Sequence, residues 1–168
     1  MSARTRTIKR LSRFARRERG TQLVELAITL PLLLMMFAAV AEFGRYFYTY
    51  ATLAKATRAG ARYVANVPAK AGGANTTEDP KAKRLVVYGD PNAADGSTPL
   101  APGLSVSHVN IVRSGTTGGV PGTVRVEIVD YNYTPLINLG KTAGGASWLS
   151  VAVKPGTTMR YLINTPSV

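Results

Sequence analysis

Few residues in this chain have the type and spacing to do chemistry, and the most telling is a carboxylate. Glu25 stands five positions after Gly20, at the mouth of a run (residues 26–41) that holds no charged side chain. An unpaired carboxylate is costly in an apolar setting. If the chain is cut after Gly20, a new α-amine appears on Thr21. Its ordinary pKa of about 7.7–8.0 leaves it mostly protonated near neutral pH. Glu25 then lies four residues along a helix from that amine. It could pair with the amine of its own chain or with that of an adjacent subunit. The second pairing would make Glu25 a register device, each added subunit neutralising a charge in its neighbour. Without the cut, Glu25 could pair with Arg19 or face lipid headgroups.

Other polar residues fall into smaller groups. Glu42 and Arg45 lie three apart, on one helical face, where they could form an ion pair. Lys55, Arg58 and Arg62 form a basic stripe, read first as a solvated face and second as a contact to an acidic partner or to headgroups. The segment DPNAADG (90–96) faintly resembles a calcium loop, but Asp95 is one place late and the distal Glu is missing, which favours a polar turn. Asn75-Thr76-Thr77 fits a glycosylation sequon, a pattern common by chance. Glu127 and Asp130 would point to opposite faces of a regular strand and so form no carboxylate pair. The single histidine, His108, reads as an edge-strand residue, and alone it makes no multi-histidine metal site. With no cysteine, disulfides and thiolate chemistry are excluded. No catalytic triad spacing or phosphate loop is present, so neither an enzyme, a cofactor, a metal nor a small-molecule substrate is expected.

The elements that must position these residues begin with a basic tail. Residues 1–20 hold eight Lys and Arg and one acid, Glu18, against a whole-chain net charge of +12. Such a tail can neutralise phosphates, but it lacks interleaved aromatics and abuts an apolar segment, so nucleic acid is not expected as a partner. Residues 21–44, as a helix of about 36 Å, are long enough to cross a bilayer. The preceding positive charge orients the N-terminus to the cytoplasm and the C-terminal part to the exported side. Phe43, Tyr46, Phe47, Tyr48 and Tyr50 read as an aromatic belt at the outer interface. Pro31 lies within the apolar run, where a bend near residues 27–31 is expected. Residues 45–66 continue the helix, with Leu53, Ala56, Gly60, Tyr63 and Val64 at helical spacing.

Residues 67–168 read as a small exported β-rich domain. Residues 68–84 are a linker or loop, and 85–89 a short strand. The stronger strands are 104–113 and 123–133, joined as a hairpin across 114–122. Residues 147–163 give a last pair of strands turned at Pro155-Gly156. The fold class is therefore α+β: a long N-terminal membrane-spanning helix that continues out of the bilayer, then a small antiparallel domain with long loops.

The segment Arg16–Glu25, RRERG followed by TQLVE, resembles a type IV prepilin processing site: a basic leader ending in glycine, a glutamate at the fifth position beyond it, then an apolar helix. More specifically, the chain from Arg19 to Ala65 resembles the TadE-like family of the tight-adherence (Flp) pilus systems. The likeness lies in Glu25-Leu26-Ala27, the Leu-Pro-Leu-Leu-Leu run at 30–34, Glu42-Phe43-Gly44 and Arg58-x-Gly60-Ala61-Arg62. Looser C-terminal similarity lies in VVYG, YNYTPLI and TTMRYL. Family members often carry an aromatic residue directly after the glutamate, where this chain has Leu26.

The resemblance implies a pseudopilin or minor pilin in the bacterial inner (cytoplasmic) membrane. A prepilin peptidase would remove residues 1–20 by cutting between Gly20 and Thr21. The partners implied are that peptidase, other pilins and pseudopilins, the pilus assembly machinery and the lipid bilayer. Association with the pilus itself is a further expectation. Two other readings share parts of this frame. One is an uncleaved single-pass protein whose exported domain binds a ligand or envelope component. The other is a secreted hydrolase with a signal peptide, its product starting near Glu42, although no catalytic set accompanies it.

Overall fold

The computed structural model describes residues 4–68, 75, 77–115, 121–136 and 151–162, with side chains described from Gly20 onward. It divides into two compact units, Met1–Phe43 and Gly44–Val168. The architecture is α+β: a long N-terminal apolar helix, then a small antiparallel sheet domain.

Helix α1 runs from Arg4 to Ala65 and passes through Pro31 without interruption. Proline has no N–H to offer the carbonyl one turn back, that of Ala27. Close by, the Thr29 hydroxyl donates to the carbonyl of Glu25 at 2.9 Å.

In the second unit, the last turns of α1 bury Leu53, Ala56, Ala61, Val64 and Ala65 in a core shared with the sheet and a second helix. That helix, α2 (Glu78–Tyr88), replaces the expected loop over 78–84 and the expected strand over 85–88, while residues 69–74 and 76 of the expected loop lie outside the described residues. The local chemistry is that of a helix. Glu78 and Asp79 favour the N-terminal turn, Pro80 is tolerated there, and Ala82, Lys83 and Arg84 are good formers. Gly89, at φ 80°, closes the helix in the left-handed conformation, its N–H returning to Leu85. Asn75 caps the other end. Its side-chain oxygen accepts the N–H groups of Thr77 and Glu78, each at 3.2 Å, and the residue is buried. The sequon asparagine is thus engaged inside the fold.

A 3-10 turn (Val106–His108) leads into β1 (Val109–Ser114), so His108 lies just before the strand rather than on it. Its Nδ1 accepts the Ser105 N–H at 3.1 Å, a capping box that explains the turn. Strand β2 (Thr123–Ile128) pairs antiparallel with β1, as the hairpin reading requires. Val124, Val126 and Ile128 alternate inward against exposed Arg125. The expected strand 123–133 is broken, because Asp130 takes a left-handed φ of 55°. Asn132–Tyr133 then form a separate β3, which pairs with β4 (Val151–Ala152).

The expected C-terminal hairpin does not form. Strand β5 (Gly156–Arg160) pairs with β2, giving a sheet of order β1-β2-β5, while β4 belongs to the other sheet. The Pro155 carbonyl accepts the Ile128 N–H at 3.0 Å, so this segment is held by β2 instead of by its neighbour β4. The start of the expected hairpin, residues 147–150, lies outside the described residues, as does most of the β1–β2 loop.

Candidate functional site

Along the first unit, Gly20, Thr21 and Glu25 all lie on α1 and are exposed. A Cβ built on Gly20 meets nothing within 4 Å, so no packing demand accounts for a glycine there. Glu25 is four residues, about one turn, beyond Thr21 and on the same side of the helix. Its carboxylate has no partner among the described residues. Around it the helix exposes Leu23, Val24, Leu26 and Ile28, followed by Leu32, Leu33, Met35 and Phe37, with Ile28 at 71 % and Phe37 at 73 % exposure. A helix exposing this much apolar surface needs lipid or other chains around it. One helix among the described residues, Gly20–Ala65, is long and apolar enough to cross a membrane.

Glu42 is buried, at 7 % exposure, and Arg45 is exposed. The aromatic group divides. Phe43, Phe47, Tyr48 and Tyr50 are exposed, as an interfacial belt requires, but Tyr46 turns toward the core. Its ring meets Tyr133 edge-on at 5.5 Å, so it is a packing residue rather than a belt residue.

The motif Arg58-x-Gly60-Ala61-Arg62 also divides. Gly60 and Ala61 are buried, while Arg58 and Arg62 face outward beside Lys55. A Cβ on Gly60 would collide with Val86 of α2 and touch Val126 of β2 at 3.5 Å. The glycine therefore permits the close approach of α1 to α2 and β2, and the structure does not bring it together with the two arginines as one site. Tyr63, placed with the apolar positions by its spacing, is only partly buried.

Two polar clusters escaped the sequence reading. Arg113 of β1 bonds the Asp79 carboxylate and donates through Nε to the Tyr161 hydroxyl at 2.8 Å. Burial works against its charge, yet the bonds to Asp79 and Tyr161 outweigh it and hold the guanidinium above its ordinary range. The only sequence signal for this cluster is the acidic first turn of α2, Glu78-Asp79. In the second cluster, Tyr63 donates to Glu78 at 2.6 Å and Lys81 pairs with Glu78 at 3.0 Å. That hydrogen bond, then burial, then the charge of Glu78 raise the Tyr63 pKa above 10.0. The raised folded value means that this link stabilises the fold fully below the unfolded pKa of about 10 and is lost as pH climbs through the folded value. Burial also raises the Tyr131 pKa, so an absorbance titration at 295 nm should show late-ionising tyrosines, of which the Tyr63 component moves to lower pH in Glu78→Ala. An unchanged titration would contradict the link.

The remaining candidates resolve into local structure. Asp90 accepts the Asn92 N–H at 2.9 Å and Asp95 pairs with Arg84 at 3.1 Å, so the 90–96 segment is a polar turn whose carboxylates are engaged apart. Glu127 pairs with Arg125 at 2.7 Å, and Asp130 lies beyond the end of β2. Among the described residues no group of three His, Cys, Asp or Glu is placed to hold a metal.

Residues 20–62 match the family model for TadE-like protein. The matched stretch opens on Gly20 and closes on Arg62, so it takes in Glu25, Glu42, Arg45, Arg58 and Gly60 and stops short of α2. No curated protein and no solved structure matches the chain.

Proposed function

We propose that this chain is a membrane-anchored, pseudopilin-like or minor-pilin-like subunit that takes part in assembling a tight-adherence pilus and has no catalytic activity of its own. The observation that carries the reading is Glu25. It is an exposed carboxylate, unpaired among the described residues, at the start of an exposed apolar helix inside the stretch similar to TadE-like proteins. A charge near the middle of a bilayer costs on the order of 3 kcal/mol, so a partner for Glu25 is worth having even where the cost is lower.

In this reading a prepilin peptidase cuts between Gly20 and Thr21. The basic leader keeps the N-terminus at the cytoplasmic face of the inner membrane, and residues 67–168 form the exported domain. The Thr21 amine, of this or an adjacent subunit, neutralises Glu25. Glu42 and Arg45 stand where the helix leaves the bilayer, and the lipid bilayer, other pilins and the assembly machinery are the remaining partners. The domain built on α2 and the sheet packs on the last turns of α1 and is the exported head.

Glu25→Ala tests the role of the carboxylate. The variant should reach the membrane and be processed in normal amount, while piliation and co-purification of other pilus subunits fall at least tenfold. Normal piliation would remove the register role.

A further inference from the structure

From Gly44 onward α1 has two faces. One, through Leu53, Thr57, Gly60 and Val64, is buried in the core. At 100° per residue, Ala51, Lys55, Arg58 and Arg62 fall on the opposite side, and all four are exposed. The three cations of this face have no anionic partner among the described residues. Four acids of the same unit are engaged with other cations: Glu78 with Lys81, Asp79 with Arg113, Asp95 with Arg84 and Glu127 with Arg125.

Resting on the pilus-subunit reading, we infer that this face docks an acidic helix of a different subunit, one carrying carboxylates at three- and four-residue spacing. Charge is the first argument: three cations along one exposed face complement an anionic occupant and disfavour a cationic one. Shape is the second. The cations follow the helix axis over about 10 Å, from Lys55 to Arg62, a line that a neighbouring helix can track. A lipid surface fits less well. Counted from Tyr50 of the aromatic group, Lys55 lies about 7.5 Å along the axis and Arg62 about 18 Å. The headgroup layer on one side of a bilayer is only about 5–8 Å deep. A second copy packed in parallel at the same height is disfavoured, because it would set cation against cation along the whole stripe. The face therefore selects a different subunit over self-association.

A photo-crosslinking residue placed at Ala51 or Ala59, both small and exposed on or beside the stripe, tests this in the full chain in pilus-producing cells. The expected product is an adduct with one other chain, mapped by peptide mass to a segment with carboxylates three or four residues apart. Its yield should fall at least tenfold in Lys55→Glu/Arg58→Glu/Arg62→Glu and clearly in the milder triple glutamine variant. Unchanged amide protection in β2 shows that each variant is folded. A phospholipid adduct, an adduct with a second copy, no adduct, or a yield indifferent to the substitutions would each overturn the inference. The pilus reading fails by a separate result, normal piliation after deletion of the gene, so the two failures are distinguishable.

Discussion

Gly60→Leu should destabilise the C-terminal domain by about 3 kcal/mol or more, because the side chain has nowhere to go. Even a Cβ at this position would overlap Val86, and Val86 is fully buried and stiff at χ1. Alanine tests the same contact more gently. Overpacking costs about 1–3 kcal/mol, and the helix propensity gained by losing a mid-helix glycine returns about 1 kcal/mol. Val86→Ala, which opens the colliding space, is expected to cost about 2 kcal/mol alone through lost burial and a cavity. The combination of Gly60→Ala with Val86→Ala should be less destabilised than the sum of the two, by about 1 kcal/mol, since each relieves the other. Amide exchange of Val124, Val126 and Ile128 reports the domain's global stability. Each tenfold acceleration there corresponds to about 1.4 kcal/mol. Simple additivity would show that the α1–α2 contact does not set the cost.

Asp79→Asn should destabilise the same domain by about 2–4 kcal/mol. The Arg113 and Asp79 side chains are only 10 % and 18 % exposed, so removing the anion leaves a largely buried guanidinium without its counter-charge. The Tyr161 hydroxyl satisfies one donor of Arg113 but supplies no charge. If the penalty comes from that stranded cation, adding Arg113→Leu to Asp79→Asn should recover much of the loss, because an apolar residue of fair size removes the buried charge. A double variant as unstable as the sum of its parts would show instead that the arginine is needed for packing. Urea unfolding followed by near-ultraviolet circular dichroism, which reads the buried Tyr131, Tyr133 and Tyr161, measures both.

The long helix was legible because its signals are local: a charge-free run, small and apolar residues at helical spacing, and charges at the expected ends. The β1–β2 hairpin was legible for the same reason, through the alternation of Val124, Val126 and Ile128. Helix α2 was missed because Val86 and Val87 favour strands by propensity and the glycine-rich stretch before it reads as loop. What decides the matter is burial of Ala82, Val86 and Val87 against the core, a tertiary fact. The β2–β5 pairing joins segments about thirty residues apart, and Arg113 meets Asp79 across 34 positions; no short-range pattern announces either. Of the candidate site, Glu25 stands out by type and spacing, while Gly20 and Thr21 as a processing site rest on the resemblance of this segment to a prepilin leader. The division of the 58–62 motif into a packing glycine and two outward arginines needed the coordinates.

On the proposed reading this chain works as a processed subunit beginning at Thr21, with Glu25 placed to meet the amine made by the cut. The intact mass of the membrane-embedded protein, purified from cells with and without prepilin peptidase, decides whether the cut is made. A chain lacking residues 1–20 is expected where the peptidase is present, and the uncut chain where it is absent. Retention of residues 1–20 in both would contradict it.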